Sequence, residues 1–169
     1  MTFLRRLKNI MNGLVIVGYQ GIGKSSIKNH PKVIDFESSL FKINGERDDS
    51  WPVIYARQAV SMAEQGYIVL VSSHAAVRSE LSLYGQEDIA IVTITPDISL
   101  KNAWCAKLES RYESDRSEKN HAAWKNAVQC YEENIKDIAS EPYLTHIYIH
   151  DMTYSLFQII RGLEYIYDI

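Results

Sequence analysis

The chain has 169 residues, with 18 basic and 21 acidic side chains and a formal net charge of −3. Its length favours one domain with a core of its own, and hydrophobic and charged fractions of 46% and 23% exclude a disordered or fibrous chain. The slightly acidic balance disfavours binding to duplex nucleic acid, and the sequence holds no apolar run of membrane-spanning length.

The first twelve residues are predicted to be an N-terminal extension that precedes the first strand, and we assign them no function. The two cysteines, Cys105 and Cys130, lack the CxxC spacing of a metal or redox site. Free thiols are typical of a reducing compartment, so we expect a cytoplasmic protein.

The first half of the chain predicts two strands around a glycine-rich loop. The segment Gly13–Gly18 (GLVIVG) is apolar and rich in β-branched residues, as in a buried parallel strand. A helix is predicted to begin near Lys24 and to end before Pro31, because the residue that precedes a proline disfavours helical geometry. Residues 32–36 (KVIDF) predict a second short strand that ends at Asp35.

The rest of the chain alternates helices with strands. A serine followed by Trp51 and Pro52 predicts a helix start, and Gly66 predicts its end. Further strands are predicted at residues 67–72, 88–95 and 146–150, and helices at residues 73–83, 97–140 (with a polar interruption at 113–120) and 155–167. This order predicts an α/β fold, with a five-stranded, mainly parallel sheet and helices on both faces. Ligands of such sheets bind beyond the carboxyl ends of the strands.

Residues 18–25 (GYQGIGKS) match the phosphate-loop pattern GxxxxGK[ST] at every fixed position. Glycines let backbone N–H groups surround phosphate oxygens, and the start of a helix adds positive charge. Lys24 is predicted to reach the β- and γ-phosphates of ATP, and the Ser25 hydroxyl to hold Mg²⁺. The predicted nucleotide-binding residues are Gly18, Gly21, Ile22, Gly23, Lys24, Ser25 and Ser26.

Three residues are candidates for the acceptor side of the site. Asp35, at the end of the second predicted strand, can orient an acceptor group or help to hold Mg²⁺, or it can cap the following turn. Arg57 and Arg78 lie on the helices before and after the third long strand. Each can clamp a phosphate with two hydrogen bonds, or serve in a surface ion pair.

A group of cations falls around the polar interruption of the long helical region: Lys107, Arg111, Arg116 and Lys119. Phosphoryl transfer spreads negative charge over the equatorial oxygens, and a basic segment that closes over them stabilises that charge. The alternative is a solvated helical hairpin whose cations pair with neighbouring acidic residues.

With these motifs, the chain resembles the nucleoside monophosphate kinase branch of P-loop kinases, above all the short, divergent deoxynucleoside monophosphate and adenylate-kinase-like proteins of phages and bacteria. The resemblance implies that Arg57 and Arg78 bind the acceptor's α-phosphate, and that residues 107–125 form a helical lid (the LID). Many of these kinases end the third strand in a carboxylate, whereas this sequence has Ser72 and Ser73 there.

We therefore expect a nucleotide kinase that transfers the γ-phosphoryl group of ATP to a (deoxy)nucleoside monophosphate, as a monomer or homodimer. Its predicted catalytic residues are Lys24, Asp35, Arg111 and Arg116. Two alternatives stay open: a small-metabolite kinase of the shikimate or gluconate type, and a nucleotide-binding module without catalysis.

Overall fold

A computed structural model describes residues 11–27, 29–85 and 88–169. Its α-helices are α1 (Trp51–Glu64), α2 (Ala75–Leu81), α3 (Lys101–Ser114), α4 (Glu118–Ala139) and α5 (Leu156–Tyr167). Its strands are β1 (Gly13–Gly18), β2 (Val33–Asp35), β3 (Lys42–Ile43), β4 (Glu46–Arg47), β5 (Ile68–Val71), β6 (Ile89–Pro96) and β7 (Thr145–Ile149).

Five strands form one parallel sheet in the order β2-β5-β1-β6-β7. The central strand β1 pairs with β5 through Val17 and Val71, and with β6 through Gly18 and Ile94. Every residue of β1, β5 and β6 is buried, because helices cover both faces of a parallel sheet. The predicted α/β fold with five parallel strands is confirmed.

Alternate residues of β1 point into two separate cores. Leu14 and Ile16 pack in the larger core, with residues of α3, α4 and α5. Val15 and Val17 pack in the smaller core, with residues of α1 and α2. Successive side chains of a strand point to opposite faces of the sheet, so β1 contributes to both cores. The carboxyl end of β1 therefore lies at the edge of both helical layers.

The structure differs from the predicted elements in two places near the sheet's carboxyl edge. In place of the predicted helix after the glycine-rich loop, the structure has a single 3-10 turn, Lys24–Ser26. In the described residues, therefore, no helix of several turns supports this loop. A short antiparallel hairpin, β3–β4, was not predicted and lies between β2 and α1.

Residues 107–125, for which a helical lid is predicted, fall within a longer helical hairpin whose arms are α3 and α4. Residues 115–117 link the two helices, and the Asn120 side chain donates hydrogen bonds to the Asp115 backbone oxygen (2.8 Å) and carboxylate (2.9 Å). Asn120 is 3% exposed, so the link is held from inside the hairpin.

Most of the predicted N-terminal extension, residues 1–10, lies outside the described residues. The next two residues are joined to the domain: the Met11 N–H donates to the Tyr167 oxygen (3.0 Å), and the Asn12 N–H donates to the Asp88 oxygen (2.6 Å). In the part of the chain that the structure describes, we find no helix with the length and apolarity needed to cross a membrane.

Gly13→Ala tests the packing of β1 against α1. A Cβ at position 13 would lie 2.1 Å from the Ala63 oxygen and 2.6 Å from the Tyr67 oxygen, both backbone atoms that cannot easily move. We expect the free energy of unfolding to fall by roughly 1–3 kcal/mol or more in urea titrations.

Gly162→Ala is the matched control, because nothing lies within 4 Å of a Cβ at that position of α5. It should raise the free energy of unfolding by roughly 0.5–1 kcal/mol. Equal losses in both variants would contradict the packing described for Gly13.

Candidate phosphate-binding site

The predicted phosphate loop connects β1 to the 3-10 turn at Lys24–Ser26. Gly21 and Gly23 have φ angles of 83° and 100°, which L residues with a Cβ rarely adopt. The loop residues Gly21, Ile22, Gly23, Lys24 and Ser25 line a cavity of about 360 Å³, called here the donor cavity.

Three elements hold this loop in place. From α3, Trp104 Nε1 donates to the Gln20 oxygen at 3.0 Å, and Gln20 Nε2 in turn donates to the Ala123 oxygen of α4 at 2.9 Å. The Tyr154 hydroxyl, from the segment before α5, donates to the Gly21 oxygen at 3.3 Å. The loop is therefore positioned by packing from α3, α4 and the segment before α5.

Lys24 reaches from the loop to the end of the neighbouring strand. Its Nζ donates to the Val71 oxygen, the last residue of β5, at 3.1 Å. Burial lowers the pKa of the Lys24 ammonium, and the negative charges of Asp35 and Glu37 partly oppose this effect. The ammonium thus lies at the point where β1 and β5 end, in a field set by two carboxylates.

The ends of β2 and β5 are joined by the Tyr55 hydroxyl of α1. This hydroxyl donates to the Phe36 oxygen and accepts a hydrogen bond from the Ser72 N–H at 3.1 Å. Burial raises the pKa of Tyr55 to about 12, so the phenol keeps its proton. Ser72 Oγ is buried, and within the described residues no hydrogen bond satisfies it.

The structure brings several predicted residues to the donor cavity and leaves others outside it, among them Gly18, which lines a neighbouring cavity. Ser25, Asp35 and Arg111 line the cavity together with Lys24. Ser26, predicted to contact phosphate, instead donates its hydroxyl to the Gly23 oxygen at 2.6 Å and lines a separate cavity beside α5.

Two cations of the helical hairpin, Lys119 and Arg116, have different surroundings. Lys119, at the start of α4, donates to both carboxylate oxygens of Glu37 at 2.9 and 3.0 Å, and these bonds lower the pKa of Glu37. Arg116 is exposed, with its guanidinium carbon 6.0 Å from the centroid of the Tyr112 ring, and it is not among the described residues that line the donor cavity.

Lys107 lines the donor cavity and lies between the rings of Trp104 and Tyr154. Its Nζ is 4.4 Å from the Trp104 ring centroid and donates to the Tyr154 hydroxyl at 2.8 Å. Burial lowers the pKa of this ammonium. Lys107 therefore links α3 to the segment that holds the phosphate loop.

A second cavity, of about 820 Å³, adjoins the first and is called here the acceptor cavity. The two cavities share Lys24, Glu37, Ser72 and Lys119 as lining residues. Two cations, Lys24 and Lys119, are thus common to both spaces; the Lys24 ammonium lies at the end of β5, whereas Lys119 is paired with Glu37.

The two arginines predicted to bind the acceptor are placed differently. Arg78 lines the acceptor cavity and is 3% exposed, but its guanidinium donates to the carboxylates of Asp137 and Glu141 and to the Ser73 oxygen. Its donors are therefore largely occupied by the end of α4.

Arg57 is exposed on α1 and is absent from the described residues lining the two cavities. The reason is helical geometry: α1 buries a stripe that includes Tyr55, Ala56, Ala59 and Val60, and position 57 falls outside it. Arg57 therefore lies outside both cavities, and its role beside an acceptor stays a prediction.

Sequence reasoning missed two cations of the acceptor cavity, Lys42 and Arg47, which lie on the hairpin β3–β4. A signal for this hairpin was present. Asn44 and Gly45 have φ angles of 52° and 85°, and an Asn-Gly pair between two short strands is the preferred sequence of a tight hairpin turn.

Tyr55→Phe tests the junction of β2 and β5. It leaves the Phe36 oxygen and the Ser72 N–H without their partner in a buried place, so we expect the free energy of unfolding to fall by about 1–3 kcal/mol. Tyr148→Phe, at a side chain that is 42% exposed, should change it by less than about 0.5 kcal/mol. Equal effects in urea titrations would contradict the role given to Tyr55.

Comparison with solved structures finds a similar fold. The chain is similar to a gluconokinase from Sinorhizobium meliloti 1021, with a TM-score of 0.51 and 14% sequence identity, over 91% of this chain and 89% of that chain. No protein-family model and no curated protein matches the sequence. The similarity concerns the fold alone: the parallel sheet, the flanking helices and the glycine-rich loop together are the P-loop kinase fold.

Proposed function

We propose that this protein is an ATP-dependent kinase that transfers the γ-phosphoryl group to a small, negatively charged acceptor. The observation that carries the proposal is the meeting of two cavities at Lys24, one lined by the phosphate loop and the other by cations. A two-substrate transfer needs the donor and acceptor groups held side by side around one positive charge.

The donor cavity suits the triphosphate of ATP. The loop backbone from Gly21 to Ser25 surrounds the phosphates, and Lys24 moves from the Val71 oxygen to the transferred group. Arg111 and Lys119 supply further positive charge on the side of α3 and α4. These cations stabilise the charge that develops on the phosphoryl oxygens.

Ser25 and Asp35 are the residues that would hold Mg²⁺, since both line the donor cavity. The described residues contain no group of three or more His, Cys, Asp or Glu side chains able to hold a metal ion. This donor set fits an ion bound mainly by phosphate oxygens, where it neutralises their charge.

Two acceptor classes follow from the acceptor cavity. A (deoxy)nucleoside monophosphate is our first candidate, because about 820 Å³ is ample for a ligand of that size and the cations there suit its phosphate. A sugar acid or similar metabolite is the second, favoured by the engagement of Arg78 with Asp137 and Glu141 and by a structural neighbour that is a gluconokinase. For a hydroxyl acceptor, Asp35 would take the proton.

The experiment is an ADP-release assay with ATP and Mg²⁺ against nucleoside and deoxynucleoside monophosphates, shikimate and gluconate. We expect turnover with members of one class only, and that class identifies the acceptor. ATP binding without turnover for any acceptor would instead indicate the non-catalytic module.

Lys24→Ala tests the role of the shared cation. We expect kcat/KM to fall by about 10²–10³ or more, since one preorganised charge is lost at the transfer point. Without nucleotide, the free energy of unfolding should change by less than about 1 kcal/mol, because the hydrogen bond to the Val71 oxygen is offset by the cost of burying the ammonium. Lys125→Ala, on the exposed face of α4, is the control, and equal activity in both variants would contradict this assignment.

A further inference from the structure

The hairpin β3–β4 places two cations directly opposite each other. Lys42 pairs with Arg47 in antiparallel register, and both side chains line the acceptor cavity. Residues opposite each other in such a pair share one face of the hairpin, and like charges in this arrangement are destabilising. The hairpin thus keeps an unfavourable pair of charges at the edge of a cavity.

Arg47 is held in a fixed orientation. Its Nε and Nη2 donate to the Ser38 oxygen (3.3 Å) and to Ser38 Oγ (3.0 Å), and its guanidinium carbon lies 4.4 Å from the centroid of the Trp51 ring. These contacts order the guanidinium without neutralising it, and they leave Nη1 for another partner.

No carboxylate of the described residues forms an ion pair with Lys42 or Arg47. Of the carboxylates that line the cavity, Glu37 binds Lys119 and Asp137 binds Arg78, while Glu118 forms no ion pair with either hairpin cation in the described residues. Lys42 and Arg47 therefore present positive charge to the cavity without a salt-bridge partner among the described residues.

His74, at the start of α2, faces the same wall. Its pKa is lowered by burial first and then by the positive charges of Arg47, Lys24, Lys42 and Arg78. The positive charges on the hairpin, the phosphate loop and α2 thus disfavour protonation of the imidazole.

We infer that Lys42 and Arg47 form a subsite in the acceptor cavity for the oxyanion of the acceptor, a phosphate or a carboxylate. The inference rests on the proposed function and specifies it, because it assigns the acceptor's charge to the hairpin rather than to Arg57 or Arg78. A bound oxyanion between the two side chains relieves their repulsion and accepts hydrogen bonds from the free side of the guanidinium.

The experiment uses the full chain saturated with a non-hydrolysable ATP analogue and Mg²⁺, which fills the phosphate loop. Inorganic phosphate, a panel of nucleoside monophosphates, and gluconate are then titrated by calorimetry, so that phosphate and carboxylate sources are distinguished. Wild-type protein should bind one class, and Lys42→Gln and Arg47→Gln should each weaken that binding by at least about tenfold.

Two control variants each remove one positive charge, as Lys42→Gln and Arg47→Gln do. Lys125→Gln on α4 and Arg161→Gln on α5 change side chains outside both cavities, and each should alter acceptor affinity by less than about twofold. All four variants should bind the ATP analogue as the wild type does.

Unfolding of the ligand-free variants separates a binding role from a structural one. Lys42→Gln should leave the unfolding temperature unchanged or raise it, because it removes a like-charge pair, while it reduces the shift that the acceptor produces. If Lys42→Gln lowers the unfolding temperature and weakens binding of both the ATP analogue and the acceptor, the subsite is wrong.

The remaining outcomes distinguish the two proposals. If the wild type turns over an acceptor and both hairpin variants do so with unchanged KM, the subsite is wrong and the kinase assignment stands. If the wild type binds an oxyanion through Lys42 and Arg47 but never transfers phosphate, the subsite stands and the kinase assignment is wrong. If no oxyanion binds beside the ATP analogue, the subsite is wrong.

Discussion

The buried ammonium of Lys24 is the feature on which the arrangement of the site depends. Its Nζ lies at the end of β5, where it donates to the Val71 oxygen and feels the charges of Asp35 and Glu37. Burying a charge costs free energy unless polar groups surround it. The ends of β2 and β5 must therefore keep the Val71 oxygen and the Asp35 carboxylate near the ammonium. The same position makes Lys24 common to the donor and acceptor cavities.

The rest of the structure holds the backbone around this lysine. In the described residues a single 3-10 turn follows the phosphate loop, and the loop is held by hydrogen bonds donated by Trp104 and Tyr154 and by one that Gln20 donates to the Ala123 oxygen. The Tyr55 hydroxyl joins the ends of β2 and β5 in the same way. Rigid positioning of this kind holds reacting groups at fixed separations.

Sequence patterns predicted the sheet and the phosphate loop because both are local. The apolar run of β1 and the spacing of Gly18, Gly23 and Lys24 need no knowledge of distant residues. The partners of Arg78 are 59 and 63 residues away, so no local pattern reveals that its guanidinium is occupied. The residues of the second cavity were therefore less predictable than those of the phosphate loop, although the Asn44-Gly45 pair is a local signal for the unpredicted hairpin that supplies Lys42 and Arg47.

The destination of the phosphoryl group tests the central claim most directly. In a single-turnover experiment, ATP labelled at the γ-phosphate is mixed with excess enzyme, Mg²⁺ and each candidate acceptor, and the label is followed through products. Two adjoining cavities that share Lys24 predict label in the acceptor, at a rate that greatly exceeds release of inorganic phosphate. Label that remains in ATP with every acceptor, or appears only as inorganic phosphate, would contradict a two-substrate kinase.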